Sequence, residues 1–144
     1  MQRVSLAQAQ AIIGGAVQEA ERLSRTPSIA VVDPAGDVVA FARMDAGRGV
    51  NASIACAKAR GAVKFQRDGR EMMGAFEHNP SFIWQTVAHF GGQLMFDQGS
   101  CLIRDADGSL LGAVAISGAS GEEDEVIAQA GLRAAGFATP DAIA

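Results

Sequence analysis

Residues 28–44, SIAVVDPAGDVVAFARM, place two apolar, β-branched runs on either side of Asp33-Pro34-Ala35-Gly36. Proline presets the φ that a type I turn needs at its second residue and glycine closes it, so the runs return against each other as an antiparallel hairpin. Everything else in the chain has to be built around that local pairing. Ser5-Leu6-Ala7-Gln8 is a capping box, and Leu6, Ala9, Ile13, Ala16, Ala20 and Leu23 follow at helical spacing until Pro27 ends the segment. A second helix is predicted from about Asn51 to Phe65, with alanines at 52, 55, 59 and 62 forming a small-residue face that can sit close to a sheet or to another subunit. Glu71 to Phe76 reads as a short helical piece. Asn79-Pro80 then supplies an N-cap and a first-turn proline for a helix from Ser81 to Phe90, which Gly91-Gly92 stops.

Gln93 to Asp97 reads as extended, Cys101 to Arg104 as a short strand, and Asp105 to Gly108 as a turn into Leu110 to Ser117, the most apolar strand. Ser120-Gly121-Glu122-Glu123 is a second capping box, opening a helix that runs to about Ala135 and stops at Gly136. Helices before, between and after short strands describe an α+β fold with a mainly antiparallel sheet covered by helices. A parallel nucleotide-binding sheet is excluded, and neither GxGxxG nor GxxxxGK[ST] occurs.

The 144 residues suit one domain spanning 1–144, and 49% hydrophobic against 19% charged residues means a core rather than disorder. A net charge of -4 argues against a phosphate-backbone partner, so no nucleic acid is expected. No apolar run approaches the roughly 20 residues that span a bilayer, and the start lacks a signal-peptide pattern; no membrane is expected, and the protein reads as soluble and cytoplasmic. Cys56 and Cys101 lie 45 apart without CxxC or Cys/His spacing, which reads as two buried small hydrophobes rather than a zinc or redox motif.

Chemistry-bearing residues concentrate in Glu77 to Phe90, EHNPSFIWQTVAHF, which holds both histidines and the single tryptophan. His78 falls in the turn before the helix and His89 near its far end, where an imidazole can ligate a metal, shuttle a proton or bond a carbonyl. Their spacing is no recognised metal pattern, so no metal site is assigned. With Glu77, either histidine gives the simplest pair for general acid/base work. Trp84 with Phe76, Phe82, Phe90 and Phe96 can line an aromatic pocket, or form core or a subunit interface. Arg43, Asp45 and Arg48 make a charged loop after the hairpin, and Lys58 projects from the small-faced helix; a carboxylate ligand needs such cations. Glu122 to Glu125 suit a helix N-terminus, with Glu123 as the capping residue.

Three blocks, SIAVVDPAGDVVAFARMD, NASIACAKARGAVKF and IRDADGSLLGAVAISGASGEEDEVIAQAG, stand in that order and spacing. The set resembles the GlcG/HbpS-like family over most of the chain, with residues 67–100 matching least. Gly99-Ser100-Cys101-Leu102-Ile103 stands where the family often carries a proline. The resemblance implies a profilin-like domain, a mainly antiparallel five-stranded sheet flanked by helices, that assembles into homo-oligomers. It places the chain among haem-binding and haem-degrading proteins, domains attached to corrinoid adenosyltransferases, and proteins encoded beside organic-acid or aromatic catabolism enzymes. The expected function is a small-ligand-binding protein that holds haem or another planar apolar molecule in an aromatic-lined pocket, with Phe82, Trp84 and Phe90 as walls and Arg43, Asp45 and Lys58 as polar contacts. The alternative is a small enzyme of organic-acid or aromatic-compound catabolism, with His78 or His89 beside Glu77 moving the proton. No cofactor is fixed by the residues; haem is the candidate the resemblance raises. Partners are a small-molecule ligand and further copies of the chain.

Overall fold

In the computed structural model, which describes residues 2–139, the hairpin forms where the turn chemistry puts it. The ends of the expected 1–144 domain lie outside the described residues. Strand β1 (Ser28–Val32) pairs antiparallel with β2 (Val38–Arg43), Ile29 opposite Ala42 and Val31 opposite Ala40. Asp33 organises the turn: its Oδ1 accepts from the amides of Ala35 and Asp37, at 2.9 and 3.1 Å. The remaining elements are α1 (Leu6–Arg22), α2 (Val50–Phe65), α3 (Gly69–Glu77), α4 (Pro80–His89), β3 (Ser100–Arg104), β4 (Leu110–Ser117) and α5 (Gly121–Ala134). Both capping boxes close, Ser5 with Gln8 and Ser120 with Glu123. Pro80 occupies the first turn of α4, but the Asn79 side chain makes no cap bond and instead accepts from Ser81 Oγ at 3.0 Å.

Neighbouring strands run antiparallel in the order β2-β1-β4-β3, so the most apolar strand is internal. Among the described residues the sheet has four strands, which corrects the expectation of five. The reason lies in residues 93–97, which read as extended in sequence but spend their backbone on α2. The Met95 N–H donates to the Ala57 carbonyl at 3.0 Å, and a Cβ at Gly61 would collide with the Met95 carbonyl. A backbone bonded to a helix in this way cannot continue a ladder. The small-residue face of α2 therefore admits both the sheet on one side and this segment on the other.

Side-chain alternation sorts the sheet into two unequal faces. Ile29, Val31, Ile103, Val114 and Ile116 face α1 and α5, which pack on each other over them with Ile12, Ile127 and Leu132. Each such fully buried aliphatic side chain contributes about 1.5–3 kcal/mol, so this face carries most of the apolar stabilisation. The opposite face is small: Ala113 and Ala115 meet Ala59, Ala62 and Val63 of α2. There the sheet gains close helix approach rather than bulk. Helices α3 and α4 lie beyond α2, with α4 packed mainly on α3. Among the described residues no helix is long and apolar enough to cross a membrane.

Candidate functional site

Because the cores on both faces of the sheet are almost wholly aliphatic, most of the aromatic residues collect outside them. They gather where the end of α2, α3, α4 and residues 93–97 converge. Phe65 lies edge-on to Phe96 at 5.1 Å and to Phe90 at 6.2 Å; Phe76 meets Phe96 at 5.2 Å and Phe82 at 5.6 Å, the last pair tilted by only 34°. Phe65, Phe76 and Phe82 open onto a groove of about 460 Å³, whose other walls include Met72, Asn79 and Arg67. Ligand sites typically occupy roughly 300–1,000 Å³ and are mostly apolar with a few polar groups that set orientation. This groove has that make-up. Arg67 follows Gln66, whose left-handed φ of 54° ends α2, and its guanidinium has no partner among the described residues.

Of the residues expected to form a site, Phe82 lines this groove directly and Phe90 joins the same aromatic cluster through Phe65. Trp84 does not: it is 76% exposed on α4. Glu77 ends α3 and His78 follows as its C-cap, both exposed, whereas His89 ends α4 and packs on Phe90 at 4.9 Å. The ten residues of α4 separate the two histidines by roughly 15 Å of helix, so they do not meet. Arg43 and Asp45 border a different cavity of about 620 Å³ beside Arg25. Its cations are partly engaged: Arg43 donates one N–H, from Nε, to the Gly47 carbonyl at 2.9 Å, and Arg25 pairs with Glu123 at 3.2 Å. Size alone favours that cavity, yet the aromatic, mainly apolar walls favour the groove.

Lys58 lies in neither. It is 2% exposed, and its ammonium donates to the Ile116 carbonyl at 2.6 Å and pairs with Asp124 at 3.4 Å. Asp124 also accepts from the Ala119 amide at 3.0 Å. Burial pushes its carboxyl up to about 6, against the pull of Lys58 and of that amide. Gly99 passes over the pair with φ 104°, where a Cβ would stand 2.8 Å from the Lys58 nitrogen. Nearby, Asp68 accepts from the Leu102 amide at 2.7 Å, and burial raises its carboxyl despite that bond. Glu125 is enclosed between Arg70 and Gln98, each at 3.5 Å. These groups tie α2 to α5 and β4, and α3 to β3 and α5. Cys101 lies among them with its thiol raised by burial, which keeps it protonated and non-nucleophilic, and Cys56 is half-buried elsewhere.

Two features escaped sequence reasoning. Lys58 falls on the face of α2 marked by Ala55 and Ala62, three before and four after it, and Asp124 on the face of α5 marked by Ile127, Ala128 and Gly131. That spacing was the available signal for an inward pair. Arg67 carries no such signal, because its place depends on how α3 folds back.

The family described as haem degrading protein HbpS-like matches residues 4–133. The solved structure of a PduOC–haem complex is 26% identical, covering 95% of this chain and 98% of its own with a TM-score of 0.85. The structure of HbpS is 25% identical over 92% of this chain and 90% of that one, with a TM-score of 0.80. The Klebsiella pneumoniae protein ORFY, at 23% identity, a TM-score of 0.85 and coverage of 94% and 92%, shares the fold. No curated protein matches the chain. With nearly its whole length matched, the chain belongs to the haem degrading protein HbpS-like family.

Proposed function

We propose that this chain binds a planar, largely apolar small molecule of the haem class in the groove between the end of α2, α3 and α4. The observation that carries this reading is the set of three phenyl side chains, Phe65, Phe76 and Phe82, opening onto one cavity with an uncommitted Arg67 on its wall. Phenyl rings stack on or edge against a flat ligand, each good pair contributing about 0.5–1.5 kcal/mol beyond burial. Membership of a family described by haem degradation, and a relative of 26% identity solved with haem, support the ligand class. The lining fits the ring plane and an acidic edge. It does not fit an axially ligated iron, since no imidazole, thiolate or phenolate stands among the described residues that line it.

In this reading residues 1–144 act as one domain in the cytoplasm, and copies self-associate. Leu6, Val50 and Trp84, large apolar side chains left exposed, support association. Titration with haemin, followed by visible absorption and by fluorescence of the single tryptophan, tests the binding role. Saturable binding is expected, weakened about five- to tenfold in Phe82→Ala, a change at a 44% exposed side chain that leaves both cores intact. Absence of any spectral change at stoichiometric haemin, or unaltered affinity in Phe82→Ala, would overturn it.

A further inference from the structure

We infer that the aromatic groove selects a planar aromatic carboxylate through Arg67 and takes it without ligating a metal, an inference that rests on the binding role proposed for this groove. Of the other nine arginines, Arg22, Arg25 and Arg70 are ion-paired with Glu19, Glu123 and Glu125, Arg43 and Arg104 each donate one N–H to a backbone carbonyl, and Arg3, Arg48, Arg60 and Arg133 do not line this groove. Arg67 has no such partner among the described residues, and it stands on the wall of a mainly apolar cavity whose other polar lining residue among them is Asn79. A guanidinium presents a planar fork that matches a carboxylate in two parallel hydrogen bonds, and Arg67, itself exposed to solvent, brings that fork to the rim of the groove. Its backbone is held by the Arg67 amide donating to the Ala62 carbonyl at 3.2 Å, which gives the side chain a defined origin.

Ring recognition comes from the other walls. The rings of Phe76 and Phe82 are tilted by 34° and Phe65 lines the same cavity, so three phenyl rings are available to a flat ligand. The donors that would hold iron are elsewhere. His78 caps α3 in an exposed turn, His89 packs on Phe90, Cys101 is enclosed in the core, and Cys56 borders a separate depression with Phe41 and Arg60. Met72, on the groove wall and 3% exposed, offers only a weak thioether. Affinity then follows the ring and its acid, not the metal.

The test compares haemin, metal-free protoporphyrin IX and its dimethyl ester by quenching of Trp84. Metal-free acid is expected to bind within about threefold of haemin, and the ester about tenfold or more weakly, the loss of one charge-assisted pairing. Arg67→Met should weaken the acid by about tenfold while leaving the ester unchanged, and Arg67→Lys should restore part of the loss. Haemin binding without binding of the metal-free acid would overturn the inference while leaving the groove's binding role standing. So would an acid-to-ester ratio unmoved by Arg67→Met. If none of the three porphyrins binds, the binding role fails and this inference with it.

Discussion

Replacing Lys58 with methionine removes the ammonium of a buried ion pair while keeping most of the side-chain volume. Asp124 then keeps only the Ala119 amide as a charge-stabilising contact in a site where both partners are nearly inaccessible. Removing one member of such a pair costs about 3–5 kcal/mol, because the other charge stays buried and uncompensated. For a domain whose total stability lies in the range of about 5–15 kcal/mol, that is a large share, and the midpoint of thermal unfolding should fall by about 10 °C or more. The penalty depends on pH with a definite sign. Asp124 titrates at about 6 in the folded state, above the ordinary 3.8, so the native state holds its proton more tightly. Its contribution to stability is full below the unfolded value and is lost as pH rises through about 6. Without Lys58 the strongest influence lowering that pKa is gone, and the loss extends to higher pH. Urea unfolding followed by far-ultraviolet circular dichroism at pH 4.5 and pH 8 should show a penalty that is large at pH 8 and much smaller at pH 4.5. Lys58→Met with Asp124→Asn should recover most of it. A loss under about 1 kcal/mol at both pH values, or a double variant no more stable than the single one, would refute the buried-pair account.

Gly61→Val sets a branched side chain against the Met95 carbonyl and should free residues 93–97 from α2 at a cost of about 1–3 kcal/mol. Chymotrypsin cleavage at Phe96, faster than in the unaltered chain, checks this; wild-type resistance would speak against the close approach. Ser120→Ala removes the cap that accepts from the Glu123 amide at 3.1 Å and should cost about 1 kcal/mol in urea unfolding. No measurable change would mean that Glu123 alone satisfies the end of α5.

Local grammar made most of the fold legible. Asp33-Pro34-Ala35-Gly36, the two serine caps and Pro80 each act within a few residues, and each element they predict is present. Residues 93–97 read as extended in sequence yet form no strand, because strand character is settled by where the backbone bonds go, and here the acceptor belongs to Ala57, nearly 40 residues earlier in the chain. The aromatic content of the groove was visible in Phe76 and Phe82, yet its boundaries were not. Trp84 shares their segment but points outward, and Phe65 and Arg67 enter from the end of a helix assigned only to packing. Lys58 reads as a ligand-facing cation in sequence yet is buried, because a single lysine on an alanine face gives no sign of a carboxylate 66 positions away.

The most direct measurement is a crystal structure of the chain grown with haemin. A flat ligand is expected between Phe65, Phe76 and Phe82, with its carboxylate against Arg67 and no side-chain ligand on the iron. Haemin held by His78 or His89, or seated away from α3 and α4, would contradict it.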